Sequence, residues 1–481
     1  MRRVISFLAT LLLIVISTTT GYAQETTSEI QGVIKDNSGA PLAGATIVAI
    51  HQPTGTKYTT TSRKDGRYNL PNLKVGGPYV LTITFVGFKE EKQDNISLLL
   101  GQEFKADFNL QVSSATLTEV VVAARRQDKV FNNSHTGSQE IINRTQIERL
   151  PTVNRSLQDF TKLTPSSNGL SFGGRNSAYN NVTVDGANFN NAFGLASTLG
   201  GQTNSQPISL DAIEQIQVNV SPYDVRQGGF SGAGINSVTR SGTNQFKGTV
   251  YTYIKTPETQ GYNVKTTKVT KQDFNYKQNG FAVGGPIVEN KLFFFVSAEQ
   301  ERITQPATSF IASDGTHPFV AGSNISQANA DTLNALRQFL IQTYNYDPGA
   351  FQNYSYRTQS DKITAKIDWN INSSNTFTIK YNYLKSLRDI SASTSGAIGG
   401  TRGPNTTAMP FQGSGYTINN NFNIFIAELN TRFGNRASNK FQVGYTALRD
   451  FRSSQAGKDF PLVDIGNGIG QAYTSFGYEP F

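Results

Sequence analysis

No cysteine occurs in the 481 residues, and there are only two methionines, one tryptophan and three histidines. The missing cysteine excludes a disulfide framework, a thiolate metal site and a cysteine nucleophile. His51, His135 and His317 fall in three separate stretches of chain, so no zinc-ligand spacing can be built from them. Charged residues make up 16% of the chain, and no long apolar run follows the first two dozen residues. A helical membrane protein needs repeated apolar runs of about 20 residues, so that class is excluded. The basic excess, 43 Lys and Arg against 34 Asp and Glu, is spread thinly, and no local cluster points to nucleic acid. What is abundant is glycine (44), phenylalanine (31) and tyrosine (20). Together with many Asn and Thr, that composition predicts a mainly β protein.

Residues 1–23 read as a secretory signal peptide. Arg2 and Arg3 form the basic start, residues 8–16 are mostly apolar, and Gly21-Tyr22-Ala23 supplies the small residues of a cleavage site. The competing reading, a membrane anchor, has too short an apolar run and no charged stop. If the exported chain spans a membrane it must do so as a closed barrel, because only helices and barrels satisfy their backbone in lipid.

Residues 24–112 predict a small β-sandwich, with strands at 30–35, 46–50, 79–85 and 104–110 between turns at Asn37-Ser38-Gly39, Asp65-Gly66 and Val86-Gly87. The runs Gly32-Val33-Ile34-Lys35-Asp36, Ala40-Pro41-Leu42-Ala43-Gly44-Ala45, Asp65-Gly66-Arg67-Tyr68 and Val86-Gly87-Phe88 resemble the carboxypeptidase regulatory-like domain. That resemblance implies a transthyretin-like sandwich, sometimes grouped with carbohydrate-binding-like folds, and implies no peptidase activity.

The linker at 113–129 holds a short β-prone run, Leu117-Thr118-Glu119-Val120-Val121-Val122-Ala123-Ala124. Exposed, it could add as a strand to a partner's sheet edge; the alternative is an ordinary strand of a neighbouring domain. Residues 130–244 are α+β. Helices are predicted at 145–150, ended by Pro151, and at 156–163, capped by Asn154; the clearest strands are 182–185 and 213–220. The glycine-rich runs at 173–175 and 228–234 lack the Gly-Lys-Ser/Thr ending of a phosphate loop and the full spacing of a dinucleotide fingerprint.

The runs Gly173-Gly174-Arg175-Asn176, Val182-Thr183-Val184-Asp185-Gly186, 211–218 and 232–244 resemble the plug of TonB-dependent receptors. Pro222-Tyr223-Asp224-Val225-Arg226-Gln227 is similar to the Oar-like branch, whereas the SusC-like glycan importers carry a different run before their Asp-Gly. The resemblance implies that Glu119, Val120, Val121 and Val122 form the segment gripped by the TonB complex in the periplasm. It also implies substrate contacts at plug apices, for which Arg175, Asn176, Asn180, Asn181, Asn188, Asn190 and Phe193 are the candidates, and at loops around 310–356. The partners implied are TonB, outer-membrane lipid and an extracellular substrate of unidentified class (peptide, protein or glycan), with no cofactor, no metal and no catalytic residue.

Residues 245–481 show strands that alternate apolar and polar side chains. Phe377, Ile379, Tyr381 and Tyr383 oppose Thr376, Thr378, Lys380 and Asn382; Phe441, Val443 and Tyr445 oppose Lys440, Gln442 and Gly444. Seven such strands are predicted, at 248–255, 279–285, 291–299, 361–370, 375–385, 421–433 and 439–450. Connections alternate strictly between short and long, the pattern of an outer-membrane barrel, and a soluble sandwich has no reason to sort its loops so. Lys366, Asp368, Lys380 and Glu428 are expected to face the lumen and meet a polar plug surface. A plugged barrel takes about 22 strands, so seven make an incomplete antiparallel transmembrane barrel, and the chain is expected to be a fragment. Other readings fit the same features: an outer-membrane adhesion or matrix protein, a secretion-related protein, and a SusC-like glycan importer.

Overall fold

The computed structural model describes residues 25–113, 138–190, 201–222, 227–268 and 271–479. The signal segment, the run Glu119–Val122, Phe193 and part of the Oar-like motif lie outside these residues.

The N-terminal unit is a sandwich of two four-stranded sheets. One contains Ser28–Asp36, Arg67–Leu73, Glu103–Lys105 and Phe108–Leu110; the other runs in the order Thr56–Thr61, Thr46–His51, Gly76–Thr84, Glu91–Leu98. Alternation drives both faces together: Ile30, Ile34, Ile47, Ala49, Leu70, Leu81 and Ile83 are all buried in one cluster. The expected single strand at 104–110 is two short ones, each parallel to Ser28–Asp36. The break has a steric cause. The Ala106 carbonyl crowds onto Gly32, where a Cβ would lie 1.8 Å from its oxygen, and the Tyr68 hydroxyl donates to the same oxygen at 2.7 Å.

The second unit packs a five-stranded sheet, in the order Ala187–Asn188, Asn181–Val184, Gly234–Thr239, Ile213–Asn219, Gln139–Asn143, against helices α1 (Arg144–Arg149) and α2 (Leu157–Thr161). Asn143 caps α1 through a reciprocal bond pair with Gln146. Ser156, not Asn154, caps α2. Its extended backbone directly precedes Leu157 and its hydroxyl accepts from the Asp159 amide at 3.3 Å, whereas the Asn154 amide is drawn to the Asp159 carboxylate.

The third unit is a seven-stranded antiparallel meander: β1 (Lys247–Lys255), β2 (Asn275–Val288), β3 (Leu292–Pro306), β4 (Ser355–Asn370), β5 (Asn375–Ile390), β6 (Tyr416–Phe433) and β7 (Ala437–Ser454). It does not close into a barrel. Connections at 289–291, 371–374 and 434–436 are short, and those at 256–274, 307–354 and 391–415 are long. The strands outrun the expected bounds at the long-loop end. Crossing a bilayer takes about 9–11 residues of strand, whereas β6 and β7 have 18 each. Backbone pairing continues above the apolar band whatever the side chains, so the polar extension was not visible as alternation.

The long connections are not bare loops. Residues 307–354, 391–415 and 455–479 fold together over a core of Leu333, Leu340, Tyr346, Phe351, Met409, Phe411 and Phe476. That cap contains α3 (Ala330–Tyr344), whose Leu333, Leu336 and Leu340 face inward from one side, with Asn329 as N-cap and Asn345 left-handed at its end.

Two outcomes follow from the packing. Replacing Leu333 by Ala should destabilise the cap by about 2–5 kcal/mol, the range for truncating a buried leucine; limited proteolysis should then cut within 307–354 while the strands stay protected. In the sandwich, burial, with a contribution from the nearby Lys74 charge, pushes His51 down to about 3. The unfolded chain would take up that proton near pH 6.5. Stability should therefore fall as pH drops from about 6.5 towards 3, by up to ~1.4 kcal/mol per pH unit. The thermal midpoint of the sandwich measured against pH should show that slope, and His51→Gln should flatten it.

Candidate functional site: the interface between plug and wall

The concave face of the meander is where the second unit sits. Register places its inward side chains in rungs across β3 to β7, spaced by two residues, or about 6.6 Å. From the short-turn end the first rung is Phe293, Asp368, Thr378, Glu428 and Gln442. The second is Phe295, Lys366, Lys380, Ile426 and Gly444. The third is Ser297, Thr364, Asn382, Ile424 and Thr446. The fourth is Glu299, Lys362, Leu384, Phe422 and Leu448, and the fifth is Glu301, Ser360, Ser386, Asn420 and Asp450. As expected, Lys366, Asp368, Lys380 and Glu428 all face inward and are buried. On the other face Ile363, Ile367, Trp369, Phe425, Phe441 and Tyr445 are exposed, as a lipid-facing band requires.

The lower rungs hold the plug by charge. Lys380 Nζ lies 3.5 Å from Asp185 and 3.3 Å from Glu428, with all three side chains no more than 5% exposed. Asp185 occupies a left-handed turn (φ +52°), and its carboxylate accepts the Thr239 amide at 3.0 Å and the Thr239 hydroxyl at 2.5 Å. Gln442 donates to the Asp185 carbonyl at 3.3 Å, and Lys366 donates to the Thr239 carbonyl at 3.1 Å. One acidic turn of the plug is thereby fixed to three strands of the wall.

The upper rungs hold it by neutral groups. Ser209 donates to Glu299 at 2.9 Å, Ser205 donates to Glu301, Thr203 and Ser386 share a bond of 2.8 Å, and Gln202 donates to Asp450 at 3.0 Å. Glu299 and Glu301 both pair with the single buried Lys362, at 2.6 and 3.4 Å. Between the two zones the contact is apolar: Phe189 meets Phe422 edge-on at 5.8 Å, beside Leu384, Ile424 and Ile426. Alternation in the other strands predicts apolar side chains outside and polar ones inside. β6 departs from it because Phe422, Ile424 and Ile426 point inward while Phe425 points outward, so both faces of that strand are apolar there.

A second anchor lies at the edge strand. Arg155 pairs with Asp211, its guanidinium lies over the rings of Tyr251 (4.5 Å) and Tyr253 (4.3 Å), and it donates to the Tyr253 hydroxyl at 2.8 Å. Arg144 reaches the same carboxylate at 3.4 Å. In the sequence Asp211 stands out only as part of the plug-like run 211–218 and the others not at all, since nothing in it links positions 56 and 98 residues apart.

The sequence-derived candidates for substrate contact separate into two groups. Arg175, Asn176 and Asn188 are exposed. Asn180 and Asn181 are buried and spend their amides on the chain: Asn180 bridges Leu170 and Ala233, and Asn181 bridges Gly228 and Asn190. Asn190 also accepts the Val182 amide at 2.6 Å. Among the described residues no group of three or more His, Asp or Glu could hold a metal ion.

Comparison with known proteins gives two family matches: an outer membrane beta barrel domain over residues 238–480 and a carboxypeptidase regulatory-like domain over 29–111. The chain is 29% identical over 294 residues to the TonB-dependent transporter Oar of Myxococcus xanthus; the match covers 57% of this chain and spans 26% of that relative's length. Among solved structures it is similar to the outer membrane transporter YddB from Escherichia coli (15% identity, TM-score 0.45, 71% of this chain and 43% of that one). It is also similar to the siderophore receptor PirA from Pseudomonas aeruginosa (14% identity, TM-score 0.40, 66% and 41%).

The Lys380 cluster yields a direct outcome. Lys380→Met leaves Asp185 and Glu428 buried without their cation, a loss of about 3–5 kcal/mol for a broken buried pair. Urea titration of outer-membrane vesicles should show the plug becoming protease-sensitive at lower urea, with the wall unchanged; Lys380→Arg should retain most of the resistance.

Proposed function

The chain belongs to the outer membrane beta barrel domain family, and from that membership we propose that it works as a TonB-dependent transporter of the Oar type. In this reading residues 1–23 direct export, the short connections face the periplasm and the long ones the exterior. The wall spans the outer membrane and the plug blocks its lumen. TonB grips Glu119, Val120, Val121 and Val122 and draws on the plug. The observation that carries the proposal is the way the plug is held: an ion-paired base, neutral hydroxyl and amide bonds above it, and a β-prone segment immediately before it in the chain. Such a unit can be shifted without unfolding the wall, because its bonds are made by side chains of the wall, to side chains or carbonyls of the plug, and leave the strand ladder intact.

Substrate would enter through the cap formed by 307–354, 391–415 and 455–479 and meet exposed plug residues, among them Arg175, Asn176 and Asn188. Phe193 and Asn190 lie on the same stretch of chain. The class of substrate, whether peptide, protein or glycan, is set by that cap.

The experiment is binding of the purified periplasmic domain of TonB to the full receptor. Binding by strand addition requires a backbone donor at each alternate position, so Val121→Pro should weaken it at least about tenfold, given the lost donor and fixed φ. Surface display should be unaffected. Unchanged affinity in that variant would remove the coupling role from Glu119–Val122.

A further inference from the structure

The first unit does not hang free of the other two. Its hairpin of Thr46–His51 and Thr56–Thr61 lies across all three short turns of the wall. Asn370, beside the 371–374 turn, donates to Thr56 at 2.8 Å, and the same Asn370 amide reaches the Asn290 carbonyl of the 289–291 turn at 3.1 Å. Asn435, in the 434–436 turn, donates to Thr61 at 2.7 Å, and Arg432 lies over the Tyr58 ring at 4.6 Å. The tip of the hairpin touches the start of the wall as well, where Asn244 donates to the Pro53 carbonyl at 2.8 Å.

The same unit covers the underside of the plug. Gln215 and Gln217, on the central plug strand Ile213–Asn219, behave as backbone partners for the sandwich segment that follows Glu91–Leu98. Gln215 accepts the Leu100 amide at 2.9 Å and donates to the Leu98 carbonyl at 3.0 Å; Gln217 donates to the Leu100 carbonyl at 3.2 Å. A small apolar contact of Val75, Leu100 and Val238 lies beside them. Lys74 enters the lowest rung of the wall and pairs with Asp368 at 3.4 Å.

We propose that the N-terminal sandwich is a second barrier of the lumen, a periplasmic door that must leave the short turns and the plug underside before anything passes. The contacts suit a door better than a permanent joint. Most are single hydrogen bonds made by neutral side chains or backbone groups, each contributing on the order of 1 kcal/mol net; the Lys74–Asp368 pair and the Thr26 bonds to Glu428 and Lys440 are the charged ones, and all are spread over separate turns instead of being gathered in one apolar core. Connectivity supplies the means of opening. The run 119–122 lies in the chain between the last sandwich strand, Phe108–Leu110, and the first plug strand, Gln139–Asn143. Tension applied there reaches both units, so one pull can lift the door and shift the plug. The door itself depends only on the orientation of the sheet ends, not on TonB being the source of the pull.

No cysteine occurs in these 481 residues, so a pair introduced on their periplasmic side can be read in the full receptor in the outer membrane once any cysteine elsewhere in it is replaced. Cysteines introduced at Thr61 and Asn435 should be joined efficiently by a short bismaleimide in resting cells. If both thiols react singly with maleimide yet do not cross-link, the docked state does not exist and the proposal fails. Barrier function is then read as entry of a large glycopeptide antibiotic into cells carrying Lys380→Met, which loosens the plug. Replacing Thr61 and Asn435 by Arg in that background should raise entry on the order of tenfold over Lys380→Met alone, and cross-linking the cysteine pair should hold entry at or below the Lys380→Met level. Entry independent of whether the sandwich is locked or displaced would overturn the door. Since neither arm involves TonB, failure here leaves the Val121→Pro binding result standing, and failure of that binding leaves this one standing.

Discussion

Everything in this molecule is arranged around a lysine that has to be neutralised away from water. Lys380 stands on the second rung of the wall with Glu428 on one side and Asp185 of the plug on the other. A buried charge without a partner is costly by several kcal/mol, so the wall can keep Lys380 only while something acidic is in place. Glu428 of the wall supplies one carboxylate and Asp185 of the plug a second. The N-terminal segment joins the same network, since Thr26 donates to Glu428 at 3.2 Å and accepts from Lys440 at 2.6 Å. The sandwich segment and the plug are thus both tied to one patch of wall.

The second constraint comes from lipid. Side chains alternate across a strand, so once the outer face is given to Ile, Phe and Tyr the inner face is free to carry Lys, Asp, Glu and Asn. That freedom is what makes a polar, separable plug contact available. It is not used uniformly. The apolar patch of Phe422, Ile424 and Ile426 against Phe189 adds dispersion and area at mid-height, between the ionic base and the neutral upper bonds. The contact therefore changes character along the lumen, ionic near the short turns and made by neutral plug groups at the far end.

How much of this could be read beforehand depends on the range of the signal. The seven strands were legible because alternation is local, and Lys366, Asp368, Lys380 and Glu428 could be placed inside from their own neighbours. Asp185 was visible only as part of a family-like run; its role depends on Lys380, nearly two hundred positions later. Asp211 and Gln215 likewise stand only within the plug-like run 211–218, and their partners Arg155 and Leu100 carry no local signal at all. The cap was missed for a different reason. Its Leu333, Leu336 and Leu340 stand at helical spacing between Asn329 and Asn345, a pattern present in the sequence but submerged in a connection read by its length and polarity. The β6 inner face was obscured because Phe425 makes both faces of the strand apolar.

The central claim is that plug and sandwich are held to the wall as separable units, by side-chain bonds that can be broken while the strand ladder stays whole. Single-molecule force spectroscopy, pulling the receptor by its N-terminal end from an outer-membrane patch, tests this most directly. The account predicts ordered steps in which the sandwich detaches first, the plug follows, and the strands β1 to β7 yield only afterwards at higher force. A single event in which plug and wall strands come away together would contradict it.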